Sequence, residues 1–276
     1  MSEQYLNPFI SQSLASARSW GTMSGGSSLP TPDYETDFSD GGTGWVEQNA
    51  TNISVSTSGI SFKTTASGNT IDNIAYDLGS GNVSDTKWSL RYSITYTGQV
   101  TGNGQNQIIG LGSLDGATGA MSNPYTGSGG SSTPENRVGF SWIDYSGTAE
   151  LGILSSEGWY SNADPNNPSG SSHVVSTNLD ITGTVKSYVT IIRHSATKIT
   201  MDITTGSFTG SSWNTFTSEN PPSTDGVYSN ATPTSSLTDL RYIKIWNRAK
   251  EGTRSGNFTG IIDYVAFWDD IIISDY

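Results

Sequence analysis

The sequence predicts an all-β fold, a two-layer antiparallel β-sandwich with an extended N-terminal arm, and three observations carry that prediction. Only 14% of the 276 residues are charged, and Lys plus Arg number 13, too few of the residues that sustain long amphipathic helices. Segments rich in β-branched and aromatic residues are punctuated by 32 glycines, the texture of short strands and turns. The longest of these segments alternates apolar and polar residues with period two, which commits one face to a core. The length fits one large sandwich, since such folds run to about 200 to 250 residues as a single domain.

Residues 1 to 34 stand apart as an arm and linker. Gly25, Gly26, Ser27, Ser28, Pro30 and Pro32 have linker composition. Upstream, Phe9, Ile10, Leu14 and Ala17 have helical spacing, which either docks one or two turns on a partner or frays as a terminus. Residues 35 to 276 are assigned to the sandwich. Strands are expected first at Ile53 to Ser56, Ile60 to Phe62 and Ile71 to Leu78. The clearest is Lys87 to Thr97, where Trp88, Leu90, Tyr92, Ile94 and Tyr96 alternate with Ser, Thr and Arg91, so that one face is buried and the other wet or packed by polar groups. Gln107 to Leu111, Val138 to Ile143 and Ala149 to Leu154 follow, and Ile199, Met201 and Ile203 repeat the alternation with a solvated side. Tyr188 to Ile192, Leu240 to Trp246 and Ile261 to Phe267 are apolar on both faces, as suits strands between layers or beneath a loop. About twelve strands result. Trp88, Trp142, Trp246 and Trp268 lie on them and are expected to fill the core.

Three connections exceed what a hairpin needs: Gly112 to Asn136, Ser155 to Ser172 and Thr205 to Thr238. Loops beyond about 12 to 15 residues are usually functional or disordered. Tyr125 lies in the first, Trp159 and Tyr160 in the second, and Trp213, Phe216 and Tyr228 in the third.

Composition also excludes functions. The formal net charge of −12 and a pI near 4.4 repel phosphate backbones, so no nucleic acid is expected as partner. With no cysteine there is no disulfide framework, thiolate metal site or thiol nucleophile. The longest apolar stretch, Val265 to Ile273, is broken by Asp269 and Asp270, and no membrane insertion is expected. Met1 to Ile10 has neither a basic n-region nor an apolar h-region, so no secretory signal is read there.

Both ends carry a recognisable pattern. Tyr34-Glu35-Thr36-Asp37-Phe38-Ser39-Asp40 precedes Gly44-Trp45 and the first strand pair; Tyr76-Asp77-Leu78-Gly79 and Val83-Ser84-Asp85-Thr86-Lys87-Trp88-Ser89-Leu90-Arg91-Tyr92 follow. Leu240-Arg241-Tyr242-Ile243-Lys244-Ile245 and Gly260-Ile261-Ile262-Asp263-Tyr264-Val265-Ala266-Phe267-Trp268 close the chain. From about Asp37 to Tyr276 the chain resembles the concanavalin A-like lectin/glucanase superfamily, specifically the laminin-G-like jelly-roll domains of environmental prokaryotic and viral proteins. The resemblance implies two curved sheets with a sugar-binding concave face. It also implies a structural Ca2+ held by acids of the first and last strands, at the matching positions Asp37 and Asp263 with Asp40 nearby. The family's acid pair near the last strand is reduced here, because Tyr264 follows Asp263. Asp37 and Asp40 have a second reading as caps of a turn.

Catalytic patterns are sought next. The superfamily's glucanases carry Glu-x-Asp-x-x-Glu on one strand, where retaining hydrolysis needs two carboxyls about 5 to 5.5 Å apart. Glu35-Thr36-Asp37-Phe38-Ser39-Asp40 ends instead in Asp and sits on the first strand, and Glu135, Asp144, Glu150 and Glu157 form no period-two pair. His194 reads as a strand-end polar residue and His173 as an exposed turn residue. No nucleophile elbow or phosphate loop is present. What remains is a carbohydrate surface of Trp159, Tyr160, Asn162, Asp164, Trp213 and Tyr125, with rings to stack on sugar C–H patches and amides and acids for hydroxyls; Trp159 and Trp213 fit core packing equally well. The expected function is therefore a non-enzymatic, lectin-like module on a virion surface or otherwise extracellular, as a capsid decoration or fibre protein. Its expected partners are a cell-surface or environmental glycan and a capsid or other assembly protein contacted through residues 1 to 34. Open sheet edges also permit a homo-oligomer. The alternative is a freestanding carbohydrate-active enzyme or secreted carbohydrate-binding protein.

Overall fold

The computed structural model describes residues 28–48, 52–64, 71–97, 105–114, 137–145, 148–156, 172–176, 184–196, 198–210, 212–217, 238–248 and 258–276. The chain divides into Met1–Pro30 with Tyr276, and Thr31–Asp275; the second unit is the sandwich. Its strands in chain order are β1 (Tyr34–Thr36), β2 (Trp45–Gln48), β3 (Ile53–Ser56), β4 (Gly59–Thr64), β5 (Ile71–Asp77), β6 (Trp88–Thr97), β7 (Gln105–Gly112) and β8 (Arg137–Tyr145), then β9 (Thr148–Ser156), β10 (Ser172–Ser176), β11 (Thr184–Ser195), β12 (Lys198–Thr205), β13 (Ser212–Thr217), β14 (Tyr242–Arg248) and β15 (Phe258–Asp269). A 3-10 turn, Ile273–Asp275, ends the unit.

An eight-stranded sheet runs β13-β12-β11-β6-β15-β4-β3, with β1 added to β15, and a seven-stranded sheet runs β10-β9-β8-β7-β14-β5-β2. Every pairing in both is antiparallel. Strands from opposite ends of the chain lie side by side, β6 between β11 and β15 and β14 between β7 and β5, so neither sheet is complete until β14 and β15, which begin at Tyr242, arrive. Between the sheets one core joins Trp88, Leu90, Tyr92, Ile94, Val189, Ile191, Met201, Val265 and Phe267 of the first to Ile74, Ile109, Leu111, Val138, Ile243 and Ile245 of the second. Each such side chain contributes about 1.5 to 3 kcal/mol on burial. The all-β sandwich expected from alternation is the architecture observed.

Four local expectations are corrected. The polar face of β6 is covered instead of wet: Ser89 is 0% and Ser93 3% exposed. The Ser89 hydroxyl donates to Ile271 O at 2.7 Å and accepts the Ile273 N–H at 3.1 Å, so the C-terminal segment lies across that face. Trp268 is buried, but on this same outer face, since its neighbour Phe267 is the one in the core. The segment Thr205 to Thr238 is not one loop, because β13 begins at Ser212 and carries Trp213 and Phe216. His173 belongs to strand β10, opposite Leu154. Backbone pairing starts at Asp33, whose N–H donates to Phe267 O at 2.9 Å; a three-residue edge strand is too short to display a period.

Candidate functional site

β6 lies in the middle of the eight-stranded sheet, and Arg91 is the only cation among its outward residues Ser89, Arg91, Ser93 and Thr95. Register places Arg91 between Ala266 of β15 and Thr190 of β11. The row continues to Glu35 on one side and Asp202 on the other. One row along, Ser93 lies between Tyr264 and Tyr188. Two half-exposed tyrosines thus lie one row along from Arg91, which is itself 9% exposed.

A turn from the sheet edge completes the arrangement. Between β12 and β13 the chain reverses through Gly206-Ser207-Phe208-Thr209-Gly210. Gly206 has φ +82°, a conformation side chains resist, and a Cβ on Gly210 would lie 1.9 Å from Thr205 O, so both positions demand glycine. Ser207 O accepts from the Thr204 hydroxyl at 2.6 Å and from Gly210 N–H at 3.1 Å. This holds the tip so that Phe208 lies over the sheet. Its ring centroid is 5.1 Å from Tyr188 at 74° and 5.6 Å from Tyr264 at 57°, tilted and edge-on geometries that favour aromatic pairs. The Arg91 Cζ lies 5.2 Å from the Phe208 centroid and 6.0 Å from that of Trp268.

The electrostatics follow from burial. Arg91 Nε donates to Thr190 Oγ1 at 3.2 Å, while Nη1 is buried without a hydrogen-bond partner. Desolvation pulls the guanidinium below its ordinary value, opposed by Tyr264. An unpaired buried charge costs several kcal/mol, and each cation–π contact offsets about 0.5 to 2 of them. Around this centre the acids are engaged from the side. Tyr264 OH donates to Glu35 Oε1 at 2.8 Å, and burial, with that bond to Glu35, pushes the phenol well above its usual range. Asp263, the residue where the β6–β15 register shifts, accepts from Ser93 Oγ and pairs with Lys186. The Lys186 ammonium also sits 5.7 Å from the Tyr188 ring. Rings, one forked donor and lateral acceptors are thus gathered on one outer face.

The opposite outer face holds a second buried cation. Lys244 on β14 is fully buried between Ala75 and Gly110, and its ammonium donates to Leu114 O at 2.8 Å.

Of the residues named from sequence, Asp263 adjoins this cluster. Tyr125, Trp159, Tyr160, Asn162 and Asp164 lie outside the described residues. Trp213 is the residue skipped where the β12–β13 register shifts between Ile203 and Thr204. Asp37 and Asp40 follow β1 and each accepts a backbone N–H two residues on, from Ser39 at 3.0 Å and Gly42 at 2.9 Å, the turn-capping alternative. Asp263 is committed to Lys186 and Ser93. No group of three or more His, Asp or Glu able to hold a metal occurs among the described residues, and these three carboxylates do not fit the six to eight oxygens calcium takes. Sequence reasoning passed over Arg91, Tyr188, Phe208 and Tyr264. A single Arg on an otherwise Ser/Thr strand face, and a Phe at the tip of a glycine-bounded turn, are the signals that could have found them.

No family model matches the chain, and no curated protein matches it in sequence. Among solved structures it is similar to a legume lectin-like domain from Entamoeba histolytica, with 8% identity over 82% of this chain and 90% of that one and a TM-score of 0.46. It is similar to the CBM2 module of the evolved Dit of Lactobacillus casei BL23 phage J-1, with 9% identity over 87% and 96% and a TM-score of 0.46. Lectin II from Ulex europaeus matches with 13% identity over 86% and 100% and a TM-score of 0.45.

Proposed function

We propose that the protein is a non-enzymatic carbohydrate-binding sandwich displayed on an extracellular surface, as a decoration or fibre component of a virion. Residues 1 to 34 join it to the assembly. The observation that carries the binding reading is the pair of half-exposed rings Tyr188 and Tyr264 beside Arg91, packed under the turn residue Phe208, with Glu35 and Asp263 at the flanks. Ring faces stack on the C–H side of a sugar, and charged donors and acceptors at the flanks pair with its polar groups. The non-catalytic reading is supported by the engagement of these acids: Glu35 accepts from the Tyr264 phenol and Asp263 pairs with Lys186, whereas glycoside hydrolysis needs two carboxyls that both face the scissile bond. The display reading is supported by an acidic composition poor in charged side chains and by the division of the chain ahead of Thr31.

Retention of the full chain on a glycan array, compared with Tyr264→Ala, tests the binding. Retention that Tyr264→Ala abolishes is expected, and unchanged retention removes this surface from the site. Deleting residues 1 to 28 removes none of the described sheet pairing, which starts at Asp33. The shortened chain is therefore expected to fold yet fail to join particles, and its incorporation would refute the anchoring role.

A further inference from the structure

We propose that Arg91 anchors a carboxylate-bearing saccharide, and that Phe208 is the roof this ligand displaces; the inference rests on the carbohydrate-binding reading and names its substrate class. A buried guanidinium normally has its five N–H donors matched by carboxylates, carbonyls or water. Here Nη1 is buried and unpaired, Nε reaches only the Thr190 hydroxyl, and no ion pair to Arg91 occurs among the described residues. The nearest acids in its cross-strand row, Glu35 and Asp202, are two strands away on either side, about 10 Å at ordinary strand spacing. The fork is thus left with donors and no acceptor, the complement of a planar carboxylate.

Phe208 alone among the rings belongs to a turn and not to the sheet. Tyr188, Tyr264 and Trp268 are fixed by strand register, whereas Phe208 projects from the Gly206–Gly210 reversal. Lifting it uncovers Nη1 between two tyrosine rings. These are positioned to sandwich a pyranose whose carboxylate points down to Arg91, while Glu35, in the same cross-strand row, is placed to accept a hydroxyl. The net charge of −12 opposes an approaching polyanion at long range, so the ligand is one carboxylate at a time, a uronic or sialic type residue. The same charge gives an unusual salt response. Screening weakens the long-range repulsion but hardly touches a buried contact, so affinity should hold or rise with salt, where a surface ion-exchange contact would weaken.

The test is an NMR titration of the full chain with methyl glucuronide, methyl glucoside and a triglutamate peptide as probes. Glucuronide is expected to bind at least about tenfold more tightly than glucoside and to hold or gain affinity as salt rises. Arg91→Met should erase the preference. Phe208→Ala should bind glucuronide about threefold or more tightly, since no roof need be displaced; this variant keeps the proposal testable if Arg91→Met does not fold. Glucuronide and glucoside binding alike would overturn this inference and leave the carbohydrate reading standing. Neither sugar binding would overturn both. Triglutamate binding as tightly as glucuronide would overturn the saccharide in favour of an acidic protein partner, and weaker binding to Phe208→Ala would overturn the role of the roof.

Discussion

Replacing Phe208 with Ala measures how much the roof contributes to the fold itself. Two aromatic pairs are lost, to Tyr188 and Tyr264, at about 0.5 to 1.5 kcal/mol each. The contact of Arg91 with the same ring is worth about 0.5 to 2 kcal/mol more. Against this, water reaches Nη1, and relieving a buried unpaired donor returns about 1 to 2 kcal/mol. The net expectation is a loss of about 2 kcal/mol, or about 5 °C in Tm for a domain this large, read by urea titration and thermal melting. Phe208→Leu keeps the apolar bulk but not the ring, and should lose about half as much. A Leu variant as stable as the wild type would refute the aromatic account. So would strict additivity of Phe208→Ala and Arg91→Met, since groups in contact should couple by about 0.5 to 3 kcal/mol.

Other consequences follow from single groups. Ser89→Ala leaves Ile271 O and the buried Ile273 N–H without the hydroxyl that joins them; a loss of about 2 to 4 kcal/mol is expected, with hydrogen exchange at Ile273 accelerated before the rest of the sheet. Tyr92 OH lies in the core without a hydrogen-bond partner, and burial pushes the phenol far up. Tyr92→Phe should therefore hold or gain about 1 kcal/mol, and a loss of that size would reveal a partner. The Asp269 carboxyl is raised by burial, with the Ser84 and Asp270 N–H groups opposing, so the folded state binds the extra proton between the usual value and the raised one, and stability falls as pH rises through that window. Asp77 is held low, chiefly by its hydrogen bond from Arg241, so its small surface contribution is present above the usual carboxylate range and is lost as pH falls through the depressed value. Melting Asp269→Asn across acidic pH should remove the first slope and leave the second; an unchanged profile would contradict the assignment.

The layers were legible in the sequence because period two is a direct consequence of the pleat. Trp88 to Tyr96 alternate in the chain and their odd and even members part company in space, just as Ile199, Met201 and Ile203 do. Burial on the second face was not legible, because what covers Ser89 and Arg91 comes from Ile271 to Ile273 and from Phe208, more than a hundred residues away in sequence. Trp268 illustrates the same limit: its size says buried, but only register says on which face. The cluster at Arg91 was not legible either. Long aromatic loops drew attention to Trp159 and Trp213, while the observed ring cluster is assembled from strands β11 and β15 and a five-residue turn around an arginine of β6, none of which is unusual alone. The acids near the first and last strands resembled a calcium set, yet each had a local partner that spacing cannot reveal: a turn amide for Asp37 and Asp40, Lys186 for Asp263.

The central claim is that the outer face of the eight-stranded sheet at Arg91 receives the ligand. Hydrogen exchange of the full chain with and without methyl glucuronide tests it most directly. The account requires changes at the Gly206–Gly210 amides and at Tyr264 and Tyr188, with the seven-stranded sheet unaltered. Changes confined to β7, β8 and β14, with the Phe208 turn untouched, would contradict it.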